Sequence, residues 1–184
     1  MARTDKARGR PAAGTPALLS LQSAGIPFTI HAFDAGSLAE GYGMQAAREL
    51  DLDPSSVFKT LLADVDGAAT VAIVPVDGTL DLKLLAVACA ARRAVMLDAA
   101  VAQRLTGYVV GGISPIGQKR PLPTVLDQSA LSHPQVYVSG GRRGLDIGIA
   151  PVDLVAITRA TVAPIARRQN ESPRGDGPAS QPPQ

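Results

Sequence analysis

The chain has 184 residues, of which 46% are hydrophobic and 18% are charged, a balance typical of globular proteins rather than disordered ones. The length suits one domain with a substantial core. The formal net charge is +2, but residues 15–166 alone carry −2 because the excess positive charge lies in the two ends. Composition therefore gives no general signal for binding DNA or RNA, and any contact with RNA must use a local patch.

Single residue types exclude several other classes of protein. The one cysteine, Cys89, lies in an apolar run and cannot form a disulfide framework or a cysteine metal site, so we expect a small buried hydrophobe. Neither histidine, His31 or His133, lies in a metal-ligand spacing. No stretch approaches the ~18 apolar residues of a membrane span, and no secretory signal is recognisable. We therefore expect a cytoplasmic protein with no cofactor and no membrane partner.

Strand and helix signals alternate between two polar tails, predicted at 1–14 and 169–184. Thr15 before Pro16 indicates the start of a helix, and Asp81 and Asp98 can cap two later helices. In chain order we predict a helix at 15–25, a strand at 28–33, a helix at 38–50, strands at 58–65 and 69–76 joined by an Asp66-Gly67 turn, helices at 82–91 and 98–107, strands at 108–110, 124–127, 135–139 and 145–149, a helix at 151–158 and a strand at 161–165. The pattern predicts one α/β domain over 15–168, around a mixed, largely antiparallel sheet.

Two glycine motifs fail as nucleotide sites. Residues 41–46 match the G-x-G-x-x-A pattern, but a loop separates them from the preceding strand, whereas a dinucleotide site needs the glycines at the strand-to-helix turn. Residues 112–119 resemble a phosphate loop, but Lys119 does not directly follow the second glycine, and two prolines prevent the required helix. No nucleophile elbow accompanies either histidine.

Three segments contain groups that packing alone does not require. Lys59 lies in an otherwise apolar strand, although a lysine that protects a strand edge would also explain it. Residues 106–117 contain a glycine pair that permits either a ligand close to the backbone or a simple bulge. Residues 137–147 contain a second glycine pair, two arginines and Asp146. This segment is either part of a ligand site or only a hairpin with a basic tip. Together they offer a cation, backbone N–H groups, hydroxyls and a carboxylate, which suit an anionic or ester ligand.

These segments resemble the YbaK family of Cys-tRNA(Pro) deacylases, which are related to the editing insertion of bacterial prolyl-tRNA synthetases. The resemblance covers about residues 15–168. It rests on several segments in the same order, namely 58–62, 80–83, 103–108, 111–118, 122–124 and 138–147.

The resemblance implies an α/β fold with a curved, barrel-like sheet and surrounding helices. It implies that Lys59 is the key pocket residue, that Gly111 shapes the pocket wall and that Asp146 supports substrate binding, and we take these three as candidate catalytic residues. Phe33 stands where the family has a tyrosine, so the ring remains and the hydroxyl is lost. The candidate substrate-binding residues are Phe33, Thr60, Gly112, Ile113, Ser139, Gly140 and Gly141.

The activity implied by the resemblance is release in trans of cysteine from tRNA(Pro), with tRNA(Cys) as a further acceptor. The substrate's own thiol attacks its ester carbonyl in that family, which would explain the absence of an obvious nucleophile–base pair. The expected partners are the acceptor end of an aminoacyl-tRNA and prolyl-tRNA synthetase. Two alternatives stay open at this point: an Ala-tRNA(Pro) deacylase that uses water, and a non-catalytic binding or regulatory module on the same scaffold.

Overall fold

The structure, a computed structural model, describes residues 14–34 and 42–168. The predicted tails, except Gly14, and residues 38–41 of a predicted helix lie outside the described residues. The helices are α1 (Pro16–Ala24), α2 (Tyr42–Glu49), α3 (Leu82–Ala88), α4 (Ala99–Thr106) and α5 (Pro151–Thr158). The strands are β1 (Thr29–Ala32), β2 (Phe58–Val65), β3 (Ala68–Pro75), β4 (Gly78–Leu80), β5 (Ala94–Met96), β6 (Thr124–Asp127), β7 (Val136–Arg142), β8 (Leu145–Ile149), β9 (Thr161–Ala163) and β10 (Ala166–Arg168).

Side-chain caps define several of the helix ends, as the sequence predicts. The Thr15 hydroxyl accepts a hydrogen bond from a backbone N–H in the first turn of α1, and Gly25 ends that helix with φ of 65°. Asp81 and Asp98 accept backbone N–H bonds at the starts of α3 and α4. Gly107 ends α4 in the left-handed region, where glycine is favoured. The three N-terminal caps, Thr15, Asp81 and Asp98, satisfy N–H groups that a helix start otherwise leaves unpaired.

The strands form a mixed, largely antiparallel set of sheets, which confirms the predicted fold class. The largest sheet has the order β5-β2-β3-β6-β9, in which only β3–β6 and β6–β9 are parallel. A second sheet has the order β1-β8-β7, and β10 pairs with β4. A bridge between Val57 and Tyr137 links the start of β2 to β7. The Asp66-Gly67 turn joins β2 and β3, and both of its residues have positive φ, as a tight hairpin requires.

The core lies on both faces of the five-stranded sheet. One face packs against the inner side of the three-stranded sheet and against α1, and the other face packs against α3. The first layer includes Phe58, Leu62, Val71, Ile73, Val136, Val138, Leu145, Ile147, Leu18 and Leu21, and the second includes Ala63, Val74, Val125, Leu85 and Ile165. Buried aliphatic side chains therefore hold β2 and β8 in fixed positions relative to each other. No helix of the described residues is long and apolar enough to cross a bilayer.

Several predicted elements differ from the structure. Residues 108–110 do not form a strand, because a turn over residues 109–112 is closed by the hydrogen bond from the Gly112 N–H to the Val109 carbonyl. The helix predicted at 82–91 ends at Ala88. The strand predicted at 161–165 ends at Ala163, and β10 follows separately. The sequence patterns did not predict β4, β5 or β10, which are short and pair with segments distant in the chain.

Strand β1 shows that apolar alternation does not always mark the buried face. Ile30 is 53% exposed, whereas His31 is half-buried and lies edge-on to Tyr137, with ring centroids 5.1 Å apart. Burial lowers the pKa of His31. Because β1 pairs only with β8, it is an edge strand, and its polar face lies beside Asp146 on that neighbour.

Candidate active site

A cavity of about 360 Å³ lies beside the first half of β2. Its size is at the lower end of the roughly 300–1,000 Å³ of small-molecule sites. Most of its wall comes from the start of α2, from β2, from the end of β5 and the residue after it, from the turn after α4, and from the β7–β8 pair. The lining residues are Phe33, Tyr42, Gly43, Met44, Ala46, Val57, Phe58, Lys59, Thr60, Leu61, Leu62, Val76, Met96, Leu97, Ala102, Val110, Gly111, Ile113, Ser139 and Asp146.

The cavity lies where one edge of β2 has no strand partner in the described residues. Strand β3 pairs along all of β2, but β5 pairs only with residues 63–65. The Val76 N–H bonds to the Val57 carbonyl, and the two-residue period of an antiparallel pair then places the backbone groups of Thr60 on the edge away from β3. The Thr60 hydroxyl is buried and has no hydrogen-bond partner in the described structure. The backbone groups and the hydroxyl of Thr60 are therefore available to hydrogen-bond with a ligand.

Lys59 provides the one lysine of the cavity wall. Its Nζ is half-buried and donates a hydrogen bond to the Gly78 carbonyl oxygen at 2.7 Å. Burial lowers the Lys59 pKa, and the nearby charge of Asp77 acts in the opposite direction. Since an ammonium group carries three donors, this bond fixes its position and leaves donors for a ligand. The turn between β3 and β4 is thus the support of the lysine head group.

Asp146 places a carboxyl group in the same wall from β8. It pairs with Ser139 on β7 and with His31 on β1, so the three residues lie side by side across the sheet. Asp146 is 7% exposed, and burial raises its pKa to about 6. No group of the described residues donates a hydrogen bond to its carboxyl oxygens. A buried carboxylate without a partner favours either a proton or a bound cation.

Gly111 is shaped to receive an aromatic ring. It has φ of +84°, and a Cβ added there would lie 2.2 Å from the ring of Tyr42. Tyr42 thus packs directly on the backbone of Gly111, and both line the cavity. The sequence analysis did not identify Tyr42 or Met44 as site residues, because they lie in the glycine motif that failed as a dinucleotide site. A tyrosine in a chain with only three was the available signal.

Seven of the ten predicted site residues line the cavity: Phe33, Lys59, Thr60, Gly111, Ile113, Ser139 and Asp146. The other three are glycines that lie outside its lining. Gly112 is buried against the backbone of Arg142, where an added Cβ would approach within 2.7 Å. The Gly140 carbonyl accepts a hydrogen bond from Thr15, and the Gly141 N–H donates to the Ser139 hydroxyl. A direct role in substrate binding stays a prediction for all ten residues.

The chemistry of the lining is limited. Its described residues include no histidine and no cysteine, and most of them are apolar. Cys89 lies at the C-cap of α3, where burial raises the pKa of its thiol and disfavours the thiolate. Within the described ranges, no group of three His, Cys, Asp or Glu residues could hold a metal ion. The described site therefore offers an ammonium, a carboxyl group and hydroxyls to a ligand.

Comparison with known proteins is consistent with this geometry. Residues 42–157 match the family model of the aminoacyl-tRNA editing domain. An Enterococcus faecalis (strain ATCC 700802 / V583) protein, provisionally named Cys-tRNA(Pro)/Cys-tRNA(Cys) deacylase EbsC, is 35% identical over 136 residues, which cover 73% of this chain and 78% of that protein.

Two solved structures share the fold. One is described provisionally as a trans-editing enzyme for prolyl-tRNA synthetase and the other is the hypothetical protein APE2540. Each has a TM-score of 0.74 and 24% identity over 83% of this chain, and the match covers 95% and 99% of the two structures respectively. The resemblance found in the sequence is thereby confirmed, and the chain belongs to the family of aminoacyl-tRNA editing domains.

Proposed function

We propose that this protein is a trans-editing deacylase that releases cysteine from tRNA(Pro), with tRNA(Cys) as a second acceptor. The observation that carries the proposal is a cavity with an ammonium and an unpartnered carboxyl group, but with no nucleophile–base pair in its lining. An aminoacyl ester is already activated, so such a site needs to position it and stabilise the charge that develops. The name of the Enterococcus relative supports the same substrate.

Asp146 is suited to bind the α-ammonium group of the aminoacyl ester. Its carboxyl group is buried and has no donor within the described structure, and its pKa of about 6 leaves it largely ionised at neutral pH. A bound cation would stabilise the ionised form further and lower the pKa. The substrate supplies that cation at the carbon next to the reacting carbonyl. Asp146 would thereby fix the orientation of the ester.

Lys59 is suited to stabilise the oxyanion that forms on the ester carbonyl. The hydrogen bond to Gly78 fixes its ammonium, and Lys59 and Thr60 line the same cavity. Preorganised donors of this kind act most strongly when the charge develops in a water-poor site. Lys59 would then contribute to turnover more than to binding.

The substrate thiol is the nucleophile in this proposal. The thiol loses its proton, and its sulfur attacks the ester carbonyl carbon. The bond between that carbon and the ribose oxygen then breaks, and the ribose oxygen takes up a proton. The products are a cyclic thioester and the uncharged tRNA. A thiol is a few per cent ionised near neutral pH and is intrinsically a strong nucleophile, so no enzyme nucleophile is required.

Release rates from Cys-tRNA(Pro) and Ser-tRNA(Pro) test the thiol step. Serine is almost the same size, so packing can separate the two by only about 1–3 kcal/mol, or roughly 10- to 200-fold. We expect the release rate of serine to be lower than that of cysteine by more than this packing limit. Similar rates would contradict thiol attack and would indicate that water is the nucleophile.

A water-dependent Ala-tRNA(Pro) deacylase is the second candidate, and one observation favours it. A carboxyl group with a pKa of about 6 is close to the value that suits a general base near neutral pH. Ala-tRNA(Pro) should therefore be included in the same assay. Faster release of alanine than of cysteine would favour the Ala-tRNA(Pro) deacylase over the Cys-tRNA(Pro) deacylase.

We propose that the enzyme acts in the cytoplasm and together with prolyl-tRNA synthetase. The net charge of −2 over residues 15–166 gives little general attraction for tRNA, so a partner that holds the tRNA body would complement it. Adding the synthetase should raise the release rate at limiting Cys-tRNA(Pro). An unchanged rate at all synthetase concentrations would argue against this partner.

A further inference from the structure

The tip of the β7–β8 hairpin is held against the wall of the cavity. A register shift between Ser139 and Arg142 marks a bulge, which redirects a strand end. The backbone of Arg142 and Arg143 then lies so close to Gly112 that a Cβ there would approach Arg143 N to 2.9 Å. The basic tip is therefore fixed to the glycine segment that contributes to the cavity.

The side chain of Arg143 is fixed at two points. Its Nε donates a hydrogen bond to the Val110 carbonyl oxygen at 2.9 Å. Its guanidinium carbon lies 5.2 Å from the ring centroid of Tyr42, in a cation–π contact. Val110 and Tyr42 both line the cavity, and Tyr42 packs on Gly111. These contacts hold the guanidinium against two residues of the cavity wall.

The two terminal amino groups of this guanidinium remain for a ligand. Arg143 is exposed, and no carboxylate of the described residues pairs with it. Arg167 provides the contrast, since its guanidinium is paired with Asp81. A planar guanidinium with two parallel donors matches the geometry of a phosphate group. The pre-set position of Arg143 also reduces the entropy lost when such a group binds.

We propose that Arg143, held by Tyr42 and Val110, binds a phosphodiester group next to the terminal nucleoside of the aminoacyl-tRNA. This inference rests on the proposed function, which places the acceptor end of the tRNA at the cavity and so brings the neighbouring phosphate close to Arg143. Contacts to phosphate position a nucleic acid without reading its sequence. In a domain that is not basic overall, one placed arginine supplies the local positive charge that binding requires.

Two substrates separate phosphate binding from other roles of Arg143: Cys-tRNA(Pro), and 2′(3′)-O-cysteinyl-adenosine, which has no phosphate. For R143Q we expect kcat/KM on the tRNA to fall roughly 10-fold or more, as for a lost charged hydrogen bond. The slope of log kcat/KM against log salt should become shallower by about 0.7 for one phosphate contact on a single strand. Activity on cysteinyl-adenosine should stay unchanged. R143K should keep the salt slope, and R159Q, which removes an exposed charge at the end of α5, should match wild type.

Equal losses on both substrates would overturn the proposal, because Arg143 would then act only by supporting Tyr42 and Val110. An R143Q variant with wild-type kinetics on the tRNA would overturn it as well. Failure of the proposed function looks different: the wild-type protein would release cysteine from neither substrate. In that case, the affinity for an RNA oligonucleotide that ends in CCA and carries no amino acid still tests the role of Arg143. A salt-dependent weakening in R143Q supports phosphate binding, and equal affinity for both proteins contradicts it.

Discussion

Two buried aspartates, Asp81 and Asp146, differ in the hydrogen-bond donors around them and in the direction of their pKa shifts. Asp81 and Asp146 are 8% and 7% exposed, and burial acts to raise the pKa of each. For Asp81, hydrogen bonds from the Leu84 N–H, the Arg167 side chain and the Lys83 N–H outweigh burial, and its pKa is lowered. Among the described residues the Asp146 carboxyl group has no such donors, and its pKa rises to about 6.

The difference shows that burial alone does not identify a functional carboxylate. Around Asp81 the fold supplies the partners itself, so this region contributes stability. Around Asp146 the fold leaves a carboxyl group without donors, which costs stability unless a ligand supplies them. Buried groups without partners are therefore the better guide to a binding site in this chain, and the Thr60 hydroxyl is a second example.

The largest expected effect in the Asp146 region concerns turnover, in the variant Lys59→Ala. Removing a preorganised oxyanion donor typically lowers kcat by about 100- to 1,000-fold. We expect a loss of this size in Cys-tRNA(Pro) deacylation, with little change in the midpoint of thermal unfolding. Lys83→Ala, which removes an exposed lysine on α3, is the control and should retain activity. A folded Lys59→Ala protein with normal kcat would contradict the role of Lys59.

Asp146→Asn should make the folded protein more stable at about pH 8. A folded-state pKa raised from 3.8 to about 6 means that protonation favours folding, so wild-type stability is lost as pH rises through that range. The variant avoids this loss, which corresponds to about 3 kcal/mol at most. Urea unfolding at about pH 8 and about pH 4 measures it, and the two proteins should converge at the lower pH. Deacylation should nevertheless fall. A pH-independent stability difference would contradict the unpartnered state of Asp146.

Asp81→Asn should have the opposite effect on stability. The folded-state pKa is lowered, so the ionised carboxylate stabilises the fold near neutral pH and this contribution is lost as pH falls through the folded pKa. We expect a loss of about 1–3 kcal/mol near pH 7, as for hydrogen bonds to a charged group. The gap to wild type should close in strong acid. Arg167→Gln is the matched partner variant, and additive losses in the double mutant would argue against the ion pair.

The smallest expected effect is that of Thr60→Val. Replacing a buried hydroxyl that has no partner with a methyl group of similar shape should raise the free energy of unfolding by about 1 kcal/mol. Deacylation should fall if the hydroxyl contacts the substrate. Thr70→Val is the control. The buried Thr70 hydroxyl donates a hydrogen bond to the Ala68 carbonyl, so its removal should lower the free energy of unfolding. Destabilisation of both variants would contradict the difference between the two hydroxyls.

Local signals predicted much of the fold. Thr15, Asp81 and Asp98 cap helices through bonds to residues two or three positions away, so the sequence carries this information directly. The Asp66-Gly67 hairpin is equally local. Strands β4, β5 and β10 were missed because they are short and pair with distant segments, and no short-range pattern contains that information. The mixed α/β class was predicted correctly because it depends on the order of elements rather than on their exact ends.

The candidate site was only partly predictable for the same reason. Lys59 and Asp146 carry charges within apolar strands, and this contrast is visible in the sequence. Tyr42 becomes part of the wall only because Gly111 leaves room for its ring, and the two residues are far apart in the chain. The missing donors of Asp146 are likewise a property of the folded structure, since a sequence pattern cannot show which buried groups remain unpaired.

The hydrogen bond between Lys59 and Gly78 has a consequence for the order in which the protein matures. Gly78 belongs to β4, whose only strand partner among the described residues is β10, and the register places Arg168 opposite Gly78. During synthesis the chain emerges from its N-terminus, so Lys59 leaves the ribosome more than a hundred residues before β10 does. The turn that holds the lysine ammonium therefore leads into a strand whose described partner, residues 166–168, is synthesised much later. We expect the position of that ammonium to become fully fixed only once this late segment can pair with β4.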